Sequence, residues 1–127
     1  MSFMMISKEI NLPKRPDATR WAGMPVMEQM ANIYSEVGRT SKWKQKGNAQ
    51  LATQAFIRAL DLIDLTIAVG RKGPDTSAAD RSPMLRELLR SRDLFCEEFL
   101  SEDPAALKPS EKYFSHFARA FAAHRNG

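Results

Sequence analysis

The sequence predicts an all-α protein: an antiparallel up-down-up-down four-helix bundle preceded by an extended N-terminal arm. Three observations carry this expectation. Apolar residues recur at helical spacing in four segments, no segment of useful length alternates as a strand does, and glycine, proline and small polar residues gather between the four. Helices joined by short or moderate connections favour antiparallel neighbours. At 127 residues the chain has the length of one ordinary domain, divided here into an arm over residues 1–23 and a bundle over residues 24–127.

Each element follows from local chemistry. In the arm, Pro13 and Pro16 disfavour helix at the residue before each, and Lys14, Arg15 and Arg20 make it basic. Phe3, Met4, Met5, Ile6, Ile10 and Leu12 are too apolar for a solvated tail, so the arm is expected to pack on its own domain or on a neighbouring subunit. The first helix starts near Pro25, which suits a first turn, and puts Val26, Met30, Ile33 and Val37 on one stripe beside Met27 and Tyr34. It is expected to end at Gly38 to Thr40, leaving SKWKQKG as a short basic connector. Asn48 then offers a cap for a second helix reaching Val69. That helix carries Ala52, Phe56, Ala59, Leu60, Ile63 and Ile67 on one face and Leu51, Ala55, Leu62, Leu65 and Val69 on another. Apolar coverage that broad predicts contacts on two sides, either as the central helix or against a second subunit.

The stretch GRKGPDTSAAD, Gly70 to Asp80, has the composition of a loop, and Ser82-Pro83 opens a third helix. Leu85, Leu88, Leu89, Phe95, Cys96, Phe99 and Leu100 keep helical spacing through about Ser101. A second break, SEDPAALKPS, ends at Ser110, a candidate cap for a last helix with Tyr113, Phe114, Phe117, Ala118, Phe121 and Ala122 on one stripe, closed by Asn126 and Gly127.

Composition excludes several function classes. No unbroken run of about 18 apolar residues is present, so no membrane span is expected. The first residues lack the order of charge, apolar run and cleavage site that secretion needs, which predicts a cytoplasmic protein. Cys96 is the single cysteine, and with two histidines and no second thiol no metal site or cofactor is expected. No phosphate-binding glycine loop, His-Glu-x-x-His or Glu-x-x-His pair occurs, so the chain reads as non-enzymatic. His116 and His124 read as surface or edge residues, and Cys96, within an apolar stripe, as an inert buried thiol.

Three charged constellations remain. Arg92 falls on the apolar stripe of the third helix and is expected either to reach Asp61 or Asp64 as an interhelix or interface ion pair, or to lay its stem along the core edge with its head in water. Lys42, Trp43, Lys44 and Lys46 set an aromatic ring among cations. Single-stranded nucleic-acid sites do the same, stacking bases on a ring and holding phosphates with ammonium groups; the alternative is a tryptophan that folds over the end of the core. The net charge of +4 concentrates at the front of the chain, where residues 1 to 50 carry eight basic and four acidic side chains. In the predicted topology one end collects Lys14, Arg15, Arg20, Arg71, Lys72, Arg81 and Arg125, a candidate surface for a phosphate backbone; ordinary solubility accounts for the same charge.

The segment IYSEVGRTSKWKQKGNAQLATQAFIRALDLIDLTIAVGRK and the later LRELLRSRDLFCEEFL resemble, in the order of their residue types, the four-helix-bundle family of ribosomal RNA intervening-sequence proteins and accessory variability determinants of diversity-generating retroelements. The resemblance covers about Met27 to Phe121. It implies an all-helical protomer, often a ring-like homopentamer, with no known enzymatic centre. Accessory variability determinants bind nucleic acid and a reverse transcriptase through basic surfaces. By resemblance that role falls here to Arg71, Lys72, Arg81 and the connector lysines Lys42, Lys44 and Lys46. The chain departs from the family by its longer proline-containing arm and by the acidic end of its third helix, Glu97, Glu98, Glu102 and Asp103. The expected function is that of an oligomeric adaptor with a basic surface for RNA or DNA; the alternative is a module that only self-assembles.

Overall fold

The computed structural model describes residues 12–70 and 83–126, without the side chains of residues 121 and 124–126. Every regular element among them is helical: α1 (Ala18–Ala22), α2 (Val26–Gln45), α3 (Ala49–Gly70), α4 (Pro83–Leu100) and α5 (Lys108–Asn126). Helix α2 packs against both α3 and α5, α4 touches α3 and α5, and α1 lies on α3.

The extended arm is corrected over its last residues, which form α1. The Asp17 carboxylate caps it, accepting from the N–H groups of Thr19 at 3.0 Å and Arg20 at 3.3 Å. Trp21 turns into the core, and its indole N–H donates to Thr66 Oγ1 at 2.9 Å. Buried Gln29 stitches the following turn, donating to the carbonyls of Trp21 at 2.9 Å and Met24 at 3.1 Å. At Trp21 the arm thus packs on its own domain.

The predicted end of the next helix is corrected as well. Helix α2 passes through Gly38 and continues to Gln45, so most of SKWKQKG is helix rather than connector. The stop lies at Gly47, the one residue with positive φ (75°) among those described. There the Asn48 N–H reaches the Trp43 carbonyl at 2.9 Å and the Gly47 N–H the Lys44 carbonyl at 3.1 Å, the paired bonds of a Schellman ending. Asn48 then starts α3 as expected, its Oδ1 accepting from the Leu51 N–H at 3.0 Å. Ser110 does not cap the last helix, which begins at Lys108. Pro109 fits that first turn, where no N–H is needed, and the Glu98 carboxylate accepts the Ser110 N–H from across the turn at 3.3 Å.

The core holds Trp21, Met30, Ile33, Val37, Ala59, Leu62, Ile63, Ile67, Leu88, Phe95, Leu107 and Phe114. Phe56 stacks on Phe99 with ring centroids 4.0 Å apart and leans on Phe95 at 5.1 Å, locking α3 to α4. On the second apolar face of α3, Ala55 and Leu62 are buried and Leu51, Leu65 and Val69 half-buried, and both α1 and α2 pack on this helix. Two groups of contacts fix which helix ends meet. Met24, Val26 and Gln29 share an apolar groove with Val69, Gly70, Met84 and Leu85, bringing the start of α2, the end of α3 and the start of α4 together. At the far end the Lys44 ammonium of α2 donates to the carbonyls of Phe99, in the last turn of α4, and of Ser101, just past it. Among the described residues no helix is long and apolar enough to cross a membrane.

Candidate nucleic-acid interface

The residues singled out in the sequence separate into four groups. Arg71, Lys72 and Arg81 lie outside the described residues, as does the side chain of Arg125. Lys14 and Arg20 are exposed, and Arg15 shares a groove on the flank of α3 with Asp61 and Asp64. Arg92 reaches Asp64, Nε to Oδ1 at 2.7 Å and Nη2 to Oδ2 at 3.2 Å. Of the two expected partners, Asp61 is not bonded to Arg92 and Asp64 is. The bidentate bond raises the Arg92 pKa, partial burial opposing it. With side-chain exposures of 31% and 52%, the pair is screened by solvent. Arg92→Met is therefore expected to lower stability by less than about 1 kcal/mol in chemical denaturation.

The basic residues before Gly47 divide as well. Because α2 extends to Gln45, Lys42, Trp43 and Lys44 stand on its last turns and Lys46 just beyond. Lys44 points inward: besides its two carbonyl bonds, its ammonium lies 5.7 Å from the Phe99 ring centroid. It satisfies carbonyls at the end of α4, where a cation is favoured. Lys44 is thus corrected from a ligand-facing lysine to a structural one. Lys42 and Lys46 are exposed and flank half-buried Trp43, with ammonium groups 5.0 and 5.4 Å from its ring centroid. Trp43 is not part of the core cluster.

The structure adds three residues to this face that spacing alone did not single out. Glu36 on α2 is buried, and its Oε1 accepts from Arg39 Nη1. Its Oε2 is buried without a hydrogen-bond partner, and Arg58 Nη1 of α3 stands 3.9 Å away. Arg39 lies four residues before Trp43, hence on the same side of the helix. The α2–α3 seam thus carries two pairs of cations, Lys42 and Lys46 at Trp43 and Arg39 and Arg58 at Glu36, seven residues earlier on α2. The available signal was Glu36 itself, a charge three residues after Ile33 and next to Val37 on a buried stripe.

Other groups with catalytic or metal-binding potential are less organised. Cys96 is half-buried rather than buried, and desolvation raises its thiol pKa, which disfavours the reactive thiolate. A groove of about 270 Å³ between α4 and α5 gathers Ser91, Ser110 and Tyr113 with Glu87 and Glu98. Burial pushes the Tyr113 phenol up, the Ser91 hydrogen bond opposing, so the hydroxyl keeps its proton. His116 is exposed. Among the described residues no three His, Cys, Asp or Glu side chains are grouped to hold a metal ion. No family model, curated protein or solved structure matches the chain.

Proposed function

We propose that the protein binds nucleic acid through the basic α2–α3 seam, as a non-enzymatic helical module. The observation that carries this reading is Trp43, outside the core cluster and flanked by the Lys42 and Lys46 ammonium groups. A tryptophan serving only to close the core needs no cations over its ring, whereas a ring beside phosphate-binding lysines serves a stacked base and its backbone together. The seam is the surface proposed because two of its lysines meet on one ring; Arg71, Lys72 and Arg81 of the loop end lie outside the described residues.

The fold belonging to this reading is the antiparallel up-down-up-down bundle of α2 to α5. It is supported by the start of α2 meeting the end of α3 and the start of α4, and by Lys44 tying the end of α2 to the end of α4. Self-association is part of the proposal and rests on the family resemblance; Leu94 and Leu100, 46% and 79% exposed on α4, stand six residues apart and on different sides of the helix. The reverse-transcriptase partner rests on the family resemblance alone and forms no part of it.

Binding is tested by anisotropy with labelled single-stranded DNA and RNA across a salt series. Affinity should fall as salt rises, with a slope in log–log form of roughly −0.7 per neutralised phosphate, thus about −2 to −3 for the four seam cations. Absence of binding at low salt, or a slope near zero, overturns the reading. Light scattering on the same samples should give a mass above that of one chain; a monomer at all concentrations removes the self-association.

A further inference from the structure

We propose that Arg39 and Arg58, flanking the buried Glu36 carboxylate, form a clamp for one backbone phosphate of a single strand whose base lies on Trp43. The proposal rests on the reading of the seam as a nucleic-acid surface and deepens it by assigning the residues that take the phosphate.

The argument starts from Glu36. A carboxylate that is 94% buried by residue, with one oxygen lacking a hydrogen-bond partner, is costly to keep. What it does is hold guanidinium groups. Arg39, on the same helix, bonds to Oε1, while Arg58 comes from the neighbouring helix to 3.9 Å from Oε2. Two arginines from two helices are thereby gathered at one carboxylate, although their own charges repel. Their side chains remain 57% and 43% exposed. A guanidinium has five N–H donors in a planar fork, and bonding to Glu36 occupies only one edge. The outward edges are suited to the oxygens of a phosphate, which arginine takes bidentately and lysine does not.

Position along the helix adds the second half. Seven residues on α2 correspond to a rise of about 10 Å, so the guanidinium pair at Glu36 stands two turns from Trp43 on the same side of the helix. A strand with a base on the Trp43 ring brings its backbone past Lys42 and Lys46 and on toward the arginine pair. Glu36 is a positioning residue in this arrangement: it touches no ligand and sets the guanidinium pair.

The probes are a short oligothymidylate and an abasic sugar-phosphate strand of equal length, titrated across salt against the wild type, Arg39→Gln/Arg58→Gln, Arg39→Lys and Trp43→Ala. The double variant should lose affinity for both strands alike, its salt slope shallower by about 0.7, the value for one single-strand phosphate shared by two arginines. Arg39→Lys keeps the charge and the Glu36 pair, so it should keep the slope and lose about tenfold in affinity through the missing fork. Trp43→Ala should weaken the base-bearing strand only. If the wild type binds and the double variant keeps both its affinity and its slope, the clamp is overturned while the seam reading stands. If Arg39→Lys binds like the wild type, the bidentate role is lost. If the wild type binds neither strand, both proposals fall. Should the double variant fail to fold, Arg39→Lys alone decides the clamp.

Discussion

Trp21→Ala is expected to lower the thermal midpoint by about 10–20 °C. The indole is 4% exposed and lies in the core cluster, so truncation removes a large apolar group and leaves a cavity, a loss of roughly 3–5 kcal/mol. A domain of this length loses about 3–5 °C per kcal/mol. The indole N–H is also the donor to buried Thr66 Oγ1, 45 residues away, so the hydroxyl loses a partner. Trp21→Phe separates the contributions. It keeps most of the ring volume and removes the donor, for an expected loss of about 1–3 kcal/mol. Circular-dichroism melts of the two variants decide the point: a shift of only a few degrees for Trp21→Ala would show that α1 is an appendage and not part of the core.

This contact also marks how far the sequence could be read. Helix starts and breaks set by a residue's own chemistry were legible: Asn48 caps α3, Pro83 opens α4, and the acidic stretch after Leu100 ends it. Features set by a partner distant in sequence were not. The five residues of α1 carry no apolar period, and Trp21 is fixed by Thr66 and by Gln29. Gly38 resembles a helix stop, yet an interior glycine costs only about 1 kcal/mol relative to alanine, which the packing of Val37 and Thr40 offsets. Gly47, at positive φ, makes the actual stop.

The site divides in the same way. The spacing of Lys42, Trp43 and Lys46 was readable because all three meet on one short stretch of backbone. Lys44 was not separable from them, since its assignment depends on carbonyls of Phe99 and Ser101. The pairing of Arg92 was readable as a charge needing a partner on α3. The choice of Asp64 over Asp61 was not, because the two aspartates lie three residues apart and only the packing of α3 on α4 selects between them.

Trp43→Ala is expected to weaken single-strand binding by about 5- to 150-fold, the range that corresponds to 1–3 kcal/mol of base stacking on one ring. The fold should tolerate the change, because Trp43 lies outside the core cluster and the Schellman bonds at the end of α2 use its carbonyl rather than its ring. Lys42 and Lys46 would lose their ring contact but keep their charge, so the salt slope should stay near the wild-type value while affinity drops. That combination separates stacking from electrostatics: a lysine substitution lowers the slope, and the tryptophan substitution does not. The chain's two tryptophans supply an independent readout. Trp21 is buried, so quenching of intrinsic fluorescence by oligothymidylate should come from Trp43, survive in Trp21→Phe and vanish in Trp43→Ala. Equal affinity of Trp43→Ala and wild type for oligothymidylate would remove base stacking from the proposed function and leave a surface that reads backbone charge alone.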